Sequence, residues 1–222
     1  VTRPPAWETV PFGENGWLAR WGDAGDDVAL ALHAHAVAAG LRAAGEASDV
    51  VPGVDSIAVR FDLGSIAPER VRVRLEEALA ATPFGEPRPP AKTLEIPIAY
   101  GGASGPDFDD LCARTGLSAE ALIEAHASPV YRVLMIGFAP GFAYLGPLDP
   151  RLRAPRLETP RPRVAAGSVG VAGDRTGVYP LASPGGWRII GRTPARLFDP
   201  ASPVPFSLEP GDAVRFVPLS EP

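Results

Sequence analysis

Apolar residues run through "DDVALALHAHAVAAGLRAAG" (26–45) behind an acidic start and ahead of a closing glycine, a pattern that predicts a helix ended by Gly45. The text on either side alternates instead. "GWLARWG" reads as a strand before the helix, and "DVVPGVDSIAVRFDL" as two strands joined around Pro52-Gly53, with Ile57, Val59 and Phe61 at every second position. "APERVRVRLEEALAAT" gives a second helix with Pro68 near its start, where a missing amide costs no hydrogen bond. Strand, helix, two strands and helix make up most of a ferredoxin-like α/β sandwich. The proline-rich "PFGEPRPPAK" (83–92) reads as a linker, which divides the chain into an α+β domain over 1–88 and a second domain over 89–222.

Beyond the linker the pattern shortens. "TLEIPIAYGG" is a strand, and "GPDFDDLCARTG" and "SAEALIEAHAS" are two short helices, the second capped by Ser118. From "YRVLMIGFAPGF" onward, brief apolar runs ("GSVGVAG", "GVYPLAS", "WRIIGRTP", "AVRFVPL") are separated by Gly- and Pro-containing turns. Regular short strands of this kind predict a closed or nearly closed β-barrel. The overall class is α+β.

Composition narrows the function. The 222 residues are 45% hydrophobic and 21% charged, ordinary for a globular protein, and no run of about 18 apolar residues suggests a membrane span. The start "VTRPPAWETV" has no signal-peptide pattern, and one cysteine, Cys112, suits a reducing cytoplasm. A net charge of −5 leaves no cationic excess for nucleic acid. Lys92 is the single lysine, so arginine serves as the default cation and its presence alone is weak evidence for anion recognition.

Several chemical signatures are absent. Ala91 stands where a P-loop needs glycine before Lys92. "AGSVG" (166–170) misses the nucleophile elbow at Ala166, so Ser168 reads as a strand-end serine. His33 and His35 lie two apart on a helix and point to different faces, and no metal site is expected.

Three stretches remain. In "GFAPGFAYLG", Pro140-Gly141 fits a type II turn, and Phe138, Phe142 and Tyr144 either flank a plain hairpin or wall a pocket. "RLRAPRLETPRPR" (151–163) holds five arginines against Glu158; it is a solvated extended loop or a clamp for carboxylate or phosphate. In "SPGGWRIIGRTP" (183–194), Gly185 and Gly186 permit close approach of another group, with Trp187, Arg188 and Arg192 beside them. His126 ends a helix, where the charged ring would cap the C-terminus or serve as an acid/base.

Taken together, "IPIAYGG", "GPDF", "AHASPVYRVLMIGFAPGFAYLG", "APRLETPRPRVAAGSVGVAG", "TGVYPLASPGGWRIIGRTPARLFDP" and "PGDAVRFVP" resemble the KipI / 5-oxoprolinase B-component (PxpB) family, also called allophanate hydrolase subunit 1-like. Ala99 stands where members often have cysteine, and Ala165 where proline is usual. The resemblance implies a ferredoxin-like domain followed by a cyclophilin-like β-barrel. It implies work with two partner proteins, a C component of the KipA / allophanate hydrolase subunit 2 type and an A component of the LamB/YcsF type. Together they would carry out ATP-dependent opening of 5-oxo-L-proline to L-glutamate. A sensor-kinase inhibitor, or a piece of a urea carboxylase or allophanate hydrolase, are the alternatives within the same resemblance. On the 5-oxoprolinase reading His126 is the candidate proton carrier, with Arg192 as its catalytic companion. Arg156 and Arg161 are the candidate anion clamp, and Phe142, Tyr144, Ser168, Thr176, Tyr179, Gly185 and Trp187 the candidate substrate contacts.

Overall fold

The computed structural model describes residues 4–22, 26–45, 47–85 and 89–219, so part of the expected linker (86–88) lies outside the described residues. The chain divides into two compact units, 1–89 and 90–222.

The first unit contains β1 (Trp7–Pro11), β2 (Gly16–Trp21), α1 (Asp27–Ala44), β3 (Asp49–Pro52), β4 (Ser56–Arg60) and α2 (Pro68–Ala81). The four strands form one antiparallel sheet in the order β1-β2-β4-β3. Ala19, Trp21, Val50, Ile57 and Val59 turn one face of this sheet toward Leu30, Ala34 and Val37 of α1 and Leu75 and Leu79 of α2. Asp26 opens α1 by accepting from the Ala29 amide at 3.0 Å, and Gly45 closes it at φ 70°. The sequence pattern did not predict β1, and it is β1 that takes the sheet edge beside β2.

The second unit contains β5 (Thr93–Tyr100), α3 (Phe108–Thr115), α4 (Ala119–Ala127), β6 (Tyr131–Ile136), β7 (Ala143–Gly146), a 3-10 turn (Pro150–Leu152), β8 (Arg161–Val164), β9 (Ser168–Ala172), β10 (Arg175–Val178), β11 (Ser183–Gly185), β12 (Arg188–Arg192) and β13 (Ala213–Pro218). Seven of these strands close a barrel in the order β10-β7-β6-β13-β5-β12-β9, while β8 and β11 pair with each other as a separate ribbon. The closing contacts are antiparallel except between β13 and β5, which run parallel. Ile96, Ile98, Tyr131, Leu145, Val214 and Phe216 belong to the core of this unit. Ser118 caps α4 by accepting from the Ala121 amide, and Cys112 packs half-buried against the same core. Among the described residues no helix is long and apolar enough to cross a membrane.

The turn before α3 depends on glycine at one position. A Cβ on Gly105 would lie 2.2 Å from the Ile190 carbonyl oxygen, a contact that backbone cannot relieve by rotating a side chain. Gly40, inside α1, has nothing within 4 Å of its missing Cβ. Gly105→Ala is therefore expected to destabilise the chain by about 3 kcal/mol or more. Gly40→Ala should stabilise it by about 0.5–1 kcal/mol. Urea unfolding of the two variants checks both signs.

Candidate functional site

Residues paired across neighbouring strands share a face of the sheet, so strand register sorts the candidate residues into two sets. Tyr144 pairs with Gly177 and Gly177 with Gly170, which pairs in turn with Ile189. One step along, Ser168 pairs with Arg192 and Arg192 with Ala99, while the Tyr179 amide donates to the Ser168 carbonyl. These rows lie on the outer face of the barrel wall. The alternate residues of the same strands, among them Ile98, Val169, Thr176 and Val178, point inward.

On the outer face the aromatic residues gather. Phe142 meets Tyr144, Tyr179 and Trp187 edge to face at 5.0, 5.2 and 5.3 Å between ring centroids. Tyr144 also meets Trp187 at 5.7 Å, and Phe138 stands over Phe142 at 5.4 Å. Gly170 and Gly177 make room for the indole: a Cβ on either would press within 3.3 Å of Trp187. The hairpin that carries Phe142 closes as the type II turn expected, with the Phe142 amide donating to the Ala139 carbonyl at 3.0 Å and Gly141 at φ 77°. Phe142, Tyr179 and Trp187 are buried, whereas Tyr144 is half-buried and Phe138 exposed.

The β8–β11 ribbon adjoins this cluster through Val164. Gly185 has a local reason to be glycine, because its Cβ would fall 2.3 Å from the Tyr179 hydroxyl. Arg161, expected to clamp substrate, is instead engaged by Asp107: two guanidinium nitrogens donate to the carboxylate at 2.7 and 2.9 Å. The same carboxylate accepts from the Ile189 amide at 2.6 Å. Arg188 is likewise committed, to Asp110 and to the Pro155 carbonyl. Arg192 is exposed and donates from Nε to the Ala166 carbonyl at 3.3 Å. Arg156 is exposed and has no ion-pair partner among the described residues. Burial raises the hydroxyl pKa of Tyr144 and Tyr179, and the nearby Arg156 charge partly opposes the rise at both.

His126 lies elsewhere. Its ring is wholly buried, reached by the Thr176 side chain from the inner face of β10. The Thr176 hydroxyl donates to the Gly170 carbonyl at 3.0 Å and so accepts the His126 Nε2 proton at 2.8 Å. Nδ1 is left to accept from the Tyr100 hydroxyl at 2.7 Å. This one-way chain of hydrogen bonds suits a neutral imidazole, and burial pushes the ring pKa down to about 3. The charged helix cap expected from the sequence does not form. Nor do His126, Trp187 and Arg192 share a cavity, since the β10 wall separates the imidazole and Thr176 from the aromatic cluster.

Sequence reasoning missed Asp107, Tyr100 and the exposure of Phe138. Asp107 stands in "GPDF", just before a helix, which signals a cap and gives no hint of Arg161 far along the chain. In the first unit, a groove of about 400 Å³ between α1 and α2 is lined by Leu41, Ala44, Val71 and Ala78. It holds no acid/base pair beyond the ion-paired Arg74 and Glu77. No group of three or more His, Cys, Asp or Glu residues able to hold a metal occurs among the described residues.

The family profile described as "Carboxyltransferase domain, subdomain C and D" matches residues 7–208. A protein named as the B component of 5-oxoprolinase, from Escherichia coli O157:H7, is 46% identical over 177 residues, covering 78% of this chain and 78% of that one. The Bacillus subtilis (strain 168) protein of the same name is 42% identical over 185 residues, covering 78% of this chain and 76% of that one. Among solved structures, TTHA0988 superposes with a TM-score of 0.76 at 38% identity over 93% of this chain. This chain spans 40% of that longer one.

The buried imidazole makes a pH prediction. In the unfolded chain histidine takes a proton near pH 6.5, whereas native His126 does so only near pH 3. Acidification between those values therefore favours the unfolded state. From pH 7 to 5 the loss traced to His126 is about 2 kcal/mol. Urea unfolding of wild type and His126→Gln at both pH values should show the smaller loss in the variant; equal losses contradict the buried neutral ring.

Proposed function

This chain belongs to the family of 5-oxoprolinase B components (PxpB), and from that premise we propose that it takes part in the ATP-dependent opening of 5-oxo-L-proline to L-glutamate. Its partners are a C component of the allophanate hydrolase subunit 2 type and an A component of the LamB/YcsF type. The observation that carries the reading is the 46% identity to a 5-oxoprolinase B component over 78% of both chains. A cytoplasmic setting fits the single cysteine. At the finer level of fold, we read the first unit as a ferredoxin-like sandwich whose outer strand comes from the N-terminal side, and the barrel as cyclophilin-like.

The chemistry sets the requirements. A five-membered lactam resists water because its nitrogen lone pair is delocalised onto the carbonyl oxygen, so the carbonyl must be activated before the C–N bond yields. ATP can supply that activation, but this chain has no P-loop to cradle its phosphates, since Ala91 stands before Lys92. The glycine-rich turn over 101–105 leads into α3, where Asp107 and Asp110 already occupy Arg161 and Arg188 and leave neither guanidinium free for phosphate. We therefore assign the nucleotide to a partner protein and give this chain substrate binding.

Arg156 is the cation placed to hold the substrate carboxylate, because Arg161 and Arg188 are committed to aspartates. Tyr144 supplies a half-buried aromatic wall beside it. The barrel shields that side of the ligand from water. Arg192 lies on the same outer face and is a second donor toward developing negative charge. His126 contributes by holding β10 in place through Thr176, and has no role in carrying protons to substrate.

Co-expression with both partner proteins, followed by measurement of glutamate released from 5-oxoproline and ATP, tests this function. Arg156→Ala is expected to lower kcat/KM by roughly 10- to 100-fold, chiefly through KM. A wild-type complex that releases no glutamate contradicts the reading.

A further inference from the structure

The loop between β6 and β7 holds one aromatic side chain in a strained pose. Phe138 has φ 71° and is the one non-glycine residue with positive φ among the described residues. The Ala139 amide donates across it to the Gly137 carbonyl at 2.9 Å, which makes 137–139 a γ-turn of the rare, positive-φ kind. Glycine would relieve the strain, and this loop uses glycine on either side, at Gly137 and at Gly141 with φ 77°. Burial does not offset the strain either, since Phe138 is 62% exposed. Backbone strain that serves neither the core nor a turn compatible with the residue points to a task outside the fold.

The position of the ring suggests the task. It stands edge-on to Phe142 at 5.4 Å and to Tyr179 at 6.3 Å, at the rim of the outer-face cluster. The loop carrying Arg156 is tied to the same cluster. The Pro155 carbonyl accepts from Arg188 Nε at 3.0 Å, and the Leu157 amide donates to the Gly186 carbonyl at 2.7 Å. These two bonds flank Trp187 and set residue 156 beside it. An exposed aromatic ring and an uncommitted guanidinium thus border one aromatic floor.

We propose that Phe138 is the specificity-determining wall of this site, packing its ring on the flat face of a small cyclic amide whose carboxylate is held by Arg156. This rests on the 5-oxoprolinase reading and adds the residue that distinguishes ring from open chain. A planar lactam offers an aromatic ring a broad face with little charge. Glutamate is an open, flexible chain without that face, so the stacking contact is lost when the ring opens, which favours release of product.

The test uses the co-expressed complex and three forms of this chain: wild type, Phe138→Gly and Phe138→Tyr. Phe138→Gly should keep or raise the melting temperature of the chain, still assemble by size-exclusion chromatography, and raise KM for 5-oxoproline at least 10-fold. Phe138→Tyr should stay within about threefold of wild type, because the ring is retained. A lower melting temperature with unchanged KM would make Phe138 a structural residue and overturn the proposal. Loss of assembly would make it an anchor for a partner protein and overturn it as well. A wild-type complex with no turnover defeats the 5-oxoprolinase reading, and this substrate assignment falls with it.

Discussion

The carboxylate of Asp107 receives two guanidinium donors from Arg161 and the amide of Ile189, and these three hydrogen bonds fix the β8–β11 ribbon against the barrel. Asp107 is 7% exposed, and these donors meet the hydrogen-bonding need of a side chain held away from water. Arg161 begins β8 and pairs with Gly185 of β11. Gly185 in turn lies against the Tyr179 hydroxyl, where a Cβ would have no room. One ion pair thereby sets the ribbon, the ribbon abuts the aromatic floor, and the floor carries half-buried Tyr144 and exposed Phe138 at its rim. The same pairing commits Arg161, whereas Arg156 is exposed without an ion-pair partner among the described residues, and on that ground we propose Arg156 as the cation for a ligand.

The barrel wall separates two chemistries that are neighbours along the chain. Thr176 faces inward and closes the hydrogen-bond chain from Tyr100 through His126 to the Gly170 carbonyl. Gly177, the next residue, faces outward and makes room for Trp187 and Phe142. Inside, every polar atom of the imidazole has a partner and burial keeps the ring neutral, as low-dielectric surroundings require. Outside, aromatic rings and arginines meet solvent. This contrast is the ground on which we propose the outer face for the ligand, while the inner network gives β9 and β10 a fixed spacing.

Much of this was legible where the signal is local. The helix over 27–44 announced itself by its apolar run, its acidic cap and Gly45; the Pro140-Gly141 turn and the Phe142/Tyr144 alternation were equally plain. The barrel could be inferred from short strands and turns. β1, "WETVP", escaped because its five residues mix charged, aromatic and proline positions without clean alternation. β8 and β11 span four and three residues, too few for a period to register amid prolines and glycines. The roles of His126 and Arg161 depend on partners 50 and 54 residues away, and no local pattern encodes those distances. The family resemblance named segments around the site without separating the inner residues from the outer ones. Register did that.

Hydrogen exchange of the assembled complex, with and without 5-oxo-L-proline, bears most directly on the claim that the outer face holds the ligand. Protection on adding the lactam should appear in peptides spanning 137–144, 155–158 and 185–188. Protection confined to the α4 peptide that carries His126, with those three segments unchanged, would contradict the account.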